Sequence, residues 1–228
     1  MKFYHYTSEE AALSILADKA LKFSNLNNLN DPYEELKYFF DEEYLDRTLL
    51  SRGVKRIEIN RKKKEFQDSY NNIKVVSFSK DFDSQLMWAH YADKHKGIVI
   101  QFELINEEQS KYLRVVNYEK EIIKRKTYDT EDYSYALETK GEDWGYENEL
   151  RLILADDMII NNAMLNFKND FKVTKLILGY KFNLDSLSFL NNRLQRRGYD
   201  NLEIMFLKPS SSHFQLIEDK TIKQNDLG

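Results

Sequence analysis

Seven glycines and two prolines are all the backbone punctuation in 228 residues, and there is no cysteine. Average usage is about 7% glycine and about 5% proline. A collagen-like chain, a Gly/Pro-rich disordered linker and a disulfide-stapled scaffold are therefore excluded. Cysteine-ligated zinc, iron–sulfur clusters and cysteine nucleophiles are excluded with them. Turning falls largely to asparagine, as in the polar stretch from Asn25 to Asp31, because Asn tolerates turn conformations.

A chain of this length makes one domain or two small ones, and a hydrophobic content of 42% is enough to build a core. Lys and Arg number 34 against 38 Asp and Glu, a net charge of −4. A duplex-DNA binder normally carries a basic excess, so nucleic acid is not favoured as a partner. No run approaches the ~20 apolar residues of a membrane span. The start, Met1-Lys2-Phe3-Tyr4-His5, has no long apolar stretch of the secretory type. A cytoplasmic location without membrane association is the expectation, and zero cysteine is compatible with it. Neither glycine-rich phosphate loop, G-x-G-x-x-G nor G-x-x-x-x-G-K-[ST], is present, and neither is H-E-x-x-H or G-x-S-x-G.

Strand-like and helix-like segments alternate. Phe3 to Tyr6 reads as a short aromatic strand, and Thr7 with Glu10 as a capping box opening a helix with an apolar face of Ala11, Ala12, Ile15 and Leu16. Leu21 to Phe23 is a second strand. Pro32 to about Leu50 and Val54 to about Tyr70 read as helices, and Ile73 to Ser79 as a strand. Asp83 or Ser84 caps a helix running through Ala92, and Gly97 opens the strand Ile98 to Phe102. Leu113 to Tyr118 is a strand, Glu131 to Thr139 a helix and Leu150 to Ala155 a strand. Val173–Leu178, Leu184–Arg197 and Leu202–Phe206 form a strand–helix–strand, with a last strand from Phe214 to Ile217. The expected class is α+β: mixed or antiparallel sheets flanked by helices in a single domain over residues 1–228. A C-terminal subdomain over residues 165–228 is the alternative division.

Four constellations carry chemistry. In Phe3-Tyr4-His5-Tyr6-Thr7-Ser8, a histidine in a strand precedes hydroxyls at a helix start, which can present donors to a ligand or simply cap the helix. In Asn30-Asp31-Pro32-Tyr33-Glu34-Glu35, Asp31 as cap, Pro32 at the first helical position and Glu34 at the third read as a structural helix start rather than a metal or acid/base site. Ser77-Phe78-Ser79 offers hydroxyls at a strand end to a ligand. Trp88 and Tyr91, three apart on one helix face, more often mean core. In Trp144-Gly145-Tyr146-Glu147-Asn148-Glu149-Leu150-Arg151, the period-two alternation of a strand puts both carboxylates and Arg151 on one side. That set is either an edge-strand charge ladder or a carboxylate pair able to orient a hydroxyl and stabilise a developing cation.

Taken in chain order, these motifs resemble a bacterial family known only as a domain of unknown function. They are N-D-P-x-E at Asn30–Glu34; Phe78-Ser79 with Ser84, Met87, Trp88, Tyr91, Ala92, His95, Lys96 and Gly97; and Trp144, Glu147, Glu149 and Arg151. The layout also resembles an ADP-ribosyltransferase, with His5 in an early strand, Ser77-Phe78-Ser79 in a middle one and Glu147-Asn148-Glu149 late. Ser-Phe-Ser stands where that family has Ser-Thr-Ser, and the N-D-P-x-E and H-K-G segments have no counterpart there. The second resemblance implies a split sheet, NAD as the substrate without a resident metal, Glu149 as the catalytic carboxylate and Glu147 as its helper. It implies that His5, Tyr6, Thr7, Ser77, Phe78, Ser79 and Tyr91 hold NAD, the stacking aromatic being one of Phe78, Tyr91 and Trp88. A toxin or phage-defence effector that modifies a small-molecule or macromolecular acceptor would fit.

Two other readings stand beside it. One is a non-catalytic recognition or regulatory module, in which Trp88, Tyr91 and Trp144 are core. The other is a metal-dependent nucleic-acid-processing enzyme using Asp31, Glu34, Glu147 and Glu149 around magnesium, guided by Arg61–Lys64 and Lys120–Lys126.

Overall fold

The computed structural model describes residues 1–127, 130–154, 159–160, 164–166 and 170–227. Along the chain the strands are β1 (Lys2–Thr7), β2 (Ala20–Lys22), β3 (Ser24–Asn25), β4 (Lys74–Ser79), β5 (Ile98–Leu104), β6 (Leu113–Val115), β7 (Asn117–Glu119), β8 (Thr139–Gly141), β9 (Glu149–Ile153), β10 (Ile159–Ile160), β11 (Met164–Asn166), β12 (Phe171–Leu178), β13 (Glu203–Pro209) and β14 (Leu216–Lys223). The helices are α1 (Glu9–Asp18), α2 (Glu42–Ser51), α3 (Arg56–Asn71), α4 (Gln85–Tyr91), α5 (Thr130–Leu137) and α6 (Leu187–Arg196).

This is the expected α+β class. The main sheet runs β14-β13-β12-β5-β1-β4-β9-β6, with β3 against β4. Its pairings are antiparallel except β12 with β13. The C-terminal strand–helix–strand joins the same sheet, because β12 pairs with β5 from Phe171↔Leu104 to Leu178↔Ile98. Two small sheets, β10-β11-β2 and β7-β8, stand apart from it.

Period-two alternation sorts the side chains onto two faces. On one face Phe3, Phe78, Phe102 and Leu150 meet Ala12, Ile15 and Leu16 of α1 and Leu190 and Leu194 of α6 in the largest apolar cluster. The other face carries two smaller clusters. Met87 and Trp88 of α4 pack on Tyr6, Val99 and Ile177. Leu26, Phe39, Leu45, Tyr70 and Leu137 pack on Val75. The charged side chains of β9 emerge on this second face.

One irregularity shapes everything that follows. β1 pairs with β5 through all six of its residues but with β4 at a single position, Tyr4↔Ser79. The sheet therefore opens between the C-terminal half of β1 and the N-terminal half of β4.

Four local readings are corrected. Ser8, not Thr7, caps α1, its Oγ accepting from the Ala11 amide at 3.2 Å. Thr7 ends β1 with its side chain buried, so no capping box with Glu10 forms. No helix begins at Pro32. Asp31 holds a turn through the Tyr33 amide at 2.9 Å, a 3₁₀ turn follows at Leu36–Tyr38, and Asp41 caps α2. Burial of Leu36, Phe39 and Phe40 and the ion pair of Glu34 with Arg151 outweigh the local helix signal. The expected strand Leu113 to Tyr118 is two strands with different partners, β6 on β9 and β7 on β8. Ala155, the last residue expected in β9, lies outside the described residues. The last strand runs Leu216–Lys223 rather than Phe214 to Ile217; it is an edge strand studded with exposed Glu218, Asp219 and Lys220, which discourages edge-to-edge pairing.

Candidate functional site

The opening between β1 and β4 leads into a cavity of about 330 Å³. Tyr4, His5 and Tyr6 border it from β1, Ser77, Phe78 and Ser79 from β4, Asn28 to Asn30 from the loop before Asp31, and Tyr91 from α4. Lys140, Glu147 and Glu149 close its far side. Of the residues that the ADP-ribosyltransferase resemblance implies, Thr7 and the stacking candidate Trp88 stay away from this cavity, and so do Asp31 and Glu34 of the magnesium reading.

His5 belongs to the apolar face with Phe3 but comes up through the gap. Its ring lies 5.9 Å from that of Phe78, and Nδ1 is 3.3 Å from the Ser77 carbonyl. A carbonyl only accepts, so the proton sits on Nδ1 and Nε2 is left as an acceptor. Burial lowers the His5 pKa, partly countered by that carbonyl, and favours the neutral ring. Ser77 is exposed into the opening, whereas Ser79 is buried and its Oγ accepts from the Asp81 amide at 3.1 Å.

Phe78 is 2% exposed, packed edge-on to Phe3 and Phe102. Trp88 is wholly buried, its indole N–H donating to the Phe82 carbonyl at 2.6 Å. Of the three aromatics considered for stacking, Tyr91 alone is both at the cavity and half-exposed. Trp144 is not core either: it is half-exposed, with Lys140 Nζ 5.5 Å from its ring.

The far wall is a buried ionic cluster. β9 is not an edge strand; it lies between β4 and β6, pairing Ser79↔Glu149 and Ser77↔Arg151. Leu150 and Leu152 point into the large core, so Glu149 and Arg151 point to the second face. Glu147 precedes the strand in a 3₁₀ turn, and Asn148 adopts a left-handed conformation (φ 40°) between the two carboxylates. That single turn brings both onto Lys140, whose Nζ is 2.8 Å from Glu147 and 2.7 Å from Glu149. Arg151 binds Glu149 through Nε at 3.0 Å, the Leu137 carbonyl at 2.9 Å, and both oxygens of Glu34. The remaining Glu147 oxygen accepts from Tyr91 Oη at 2.6 Å, and Asn30 donates to that same hydroxyl at 2.6 Å.

All five charged groups are 5% exposed or less, so each depends on the others for its charge. Burial pushes the Glu149 carboxyl up, but Arg151 and Lys140 together bring it down to about 2. Burial also works against Lys140, yet Glu149, Glu147 and Glu34 raise its pKa. At Glu34 burial prevails over Arg151 and the pKa is raised. Burial and the Glu147 carboxylate raise that of Tyr91, keeping it a donor.

Lys140 is the member that sequence reasoning missed; Glu34 is grouped there with Glu147 and Glu149 only as a magnesium ligand, not as the partner of Arg151. Asn30-Asp31-Pro32 marked a helix start and hid the long-range role of Glu34. Lys140 carries no motif at all. Lys140 and Arg151 lie among the three carboxylates, and among the described residues no group of three or more His, Asp or Glu side chains is placed to hold a metal ion. The basic run of α3 is laced by ion pairs, with Lys63 2.7 Å from Asp46. Among the described residues no helix is long and apolar enough to cross a membrane.

Fold and site together define an α+β protein with an open-sheet cleft backed by a buried ionic cluster. Residues 87–152, from α4 through most of β9, match a family model described as a protein of unknown function (DUF2971). That segment carries Tyr91, Lys140, Glu147, Glu149 and Arg151, while His5, Glu34 and the serines of β4 lie outside it. No curated protein and no solved structure matches the chain.

Proposed function

We propose that the cleft binds NAD and that the protein acts as an ADP-ribosyltransferase or NAD glycohydrolase, in keeping with a toxin or phage-defence effector. One observation carries the reading: the opening between β1 and β4 gathers His5, Ser77, Tyr91, Glu147 and Glu149, from distant parts of the chain, around one cavity. About 330 Å³ lies at the small end of ligand pockets and suits the nicotinamide–ribose end of the substrate.

The chemistry follows from the charges. Breaking the bond between ribose C1′ and the nicotinamide nitrogen sends the electron pair to that nitrogen, which becomes neutral, and leaves positive charge on the sugar. Preorganised carboxylates beside C1′ stabilise that charge in a site shielded from water. Water or an acceptor hydroxyl or amine then adds to C1′, and its proton passes to a cleft carboxylate or to solvent. Tyr91 offers a ring face to the nicotinamide, and neutral His5 offers Nε2 as an acceptor.

Incubation of the protein with NAD, alone and with cell extract, tests this. Nicotinamide release or ADP-ribose transfer is expected, and a Glu147→Gln/Glu149→Gln double variant should lose it. Absence of both products from folded wild-type protein overturns the reading. The recognition-module alternative draws on the pairing of the buried charges, in which every carboxylate meets a cation, a pattern that also serves structure alone.

A further inference from the structure

Three carboxylates share two cations in the cluster, and the sharing is unequal. Glu149 touches both cations, with Lys140 at 2.7 Å and Arg151 at 3.0 Å. Glu34 is gripped by Arg151 through both oxygens and has Lys140 at 3.8 Å. Glu147 touches Lys140 alone, at 2.8 Å, and its other oxygen meets only the neutral hydroxyl of Tyr91. The formal excess of one negative charge therefore rests on the carboxylate nearest the cleft's Tyr91 wall.

We propose that Glu147, not Glu149, is the carboxylate that faces the cationic centre of the ligand, with Lys140 and Tyr91 as positioning residues and Glu149 as the counter-ion that keeps Lys140 in place. This rests on the NAD reading for its reaction but on the geometry alone for its charge. Glu149 Oε1 is engaged by Arg151 Nε, and its Oε2 by Lys140 at 2.7 Å and Arg151 at 3.3 Å. Both its oxygens are thus committed to cations, which leaves little field to offer a developing positive charge. Glu147 Oε1 is held on the cavity side by the chain Asn30 to Tyr91 to Glu147, both links 2.6 Å. Its backbone precedes the left-handed turn at Asn148, which sets how it meets Lys140 relative to Glu149.

The test compares Glu147→Gln, Glu149→Gln and Tyr91→Phe in the full-length protein, with urea denaturation on each. Release of nicotinamide from NAD should fall on the order of 100-fold in Glu147→Gln, the scale of losing one preorganised electrostatic group, with the denaturation midpoint near wild type. Glu149→Gln should lower the midpoint, because Lys140 and Arg151 each lose a partner, while the folded fraction keeps its release rate within about tenfold. Tyr91→Phe should lower kcat with little change in stability, and it carries the comparison if Glu149→Gln does not fold. Binding of 1-methylnicotinamide, a permanent pyridinium cation, is measured on the same proteins by NMR titration. It should weaken in Glu147→Gln and persist in Glu149→Gln. If wild type binds this cation but never consumes NAD, the NAD reading fails and the Glu147 assignment stands. Equal cation binding by wild type and Glu147→Gln overturns the assignment, as does release lost in Glu149→Gln and kept in Glu147→Gln. No cation binding by wild type overturns it too.

Discussion

Glu34 and Arg151 stand 117 positions apart in sequence and form a two-pronged ion pair in the protein interior. Arg151 is wholly buried and Glu34 is 4% exposed. The pair ties the loop before α2 to an inner strand of the sheet, and with it one border of the cleft to the cleft's far wall. Removing one member strands the other. Arg151→Met is expected to destabilise the protein by about 3–5 kcal/mol, because buried Glu34 loses its two-pronged partner and buried Glu149 keeps only Lys140. Urea denaturation measures it. A loss below about 1 kcal/mol, the worth of an exposed pair, would mean that water reaches this cluster in solution.

Acid sensitivity follows from Glu149. Its folded pKa of about 2 lies below the ordinary 4.5, so its stabilising contribution is complete above the unfolded value and is lost as pH falls from 4.5 toward 2. At 1.36 kcal/mol per pH unit the contribution is on the order of 3 kcal/mol. His5, whose folded pKa is lowered, acts in the same sense as pH falls below 6.5. Glu34, whose folded pKa is raised, acts oppositely: its contribution is present at low pH and is lost as pH rises above 4.5. Stability measured between pH 7 and pH 3 should fall for wild type, and less steeply for Glu149→Gln. Parallel curves for the two proteins would contradict this assignment.

Gly97 and Gly179 let backbones touch. A Cβ at Gly97 would stand 2.2 Å from the Thr7 carbonyl oxygen and 2.9 Å from Ala92 backbone atoms. At Gly179 it would stand 2.1 Å from the His95 carbonyl oxygen. Because backbone cannot step aside as a flexible side chain can, Gly97→Ala and Gly179→Ala should each cost at least the roughly 1–3 kcal/mol of core overpacking. Thermal unfolding reads this out, with Gly198→Ala as a comparison: open space surrounds Gly198, so any cost there comes from its φ of 76° alone.

Asn148 sets the spacing of the two cleft carboxylates through its left-handed backbone. Asn148→Gly should be tolerated, losing only the exposed 2.7 Å bond to Asp81. Asn148→Val should destabilise by at least roughly 1–2 kcal/mol, the cost of that conformation for a residue with a Cβ, and more for a β-branched one. It should also weaken ligand binding in the cleft by shifting Glu147 away from Lys140. Calorimetry on the three proteins tests both effects, and full stability in Asn148→Val would count against the turn as the spacer.

Much of the frame was legible in the chain. Of the two expected caps for α4, Asp83 and Ser84, it is Ser84 that serves, its Oγ accepting from the Met87 amide at 3.4 Å. The strand expected from Ile98 to Phe102 is a central one, buried on both faces, and runs on to Leu104. Glu149 and Arg151 share a side of β9 because strand alternation is local geometry. The failures share a cause. Thr7 and Ser8 offered the same capping chemistry one residue apart, and strand pairing with β5 claimed Thr7. Asn30 to Glu34 carried a valid helix-start signal, but burial of Leu36 and Phe39 and the pull of Arg151 on Glu34 outweighed it.

The sequence by itself determined the α+β class, the order of most elements and which residue types could do chemistry, since each depends on periodicity or capping within a few residues. The tertiary structure alone decided that β1 and β4 part after one paired position, that Lys140 lies among three carboxylates, and that Glu147 is left with the fewest cations. Those depend on contacts between segments far apart in the chain. Their energies come from desolvation and charge pairing in the folded interior, which no local pattern encodes.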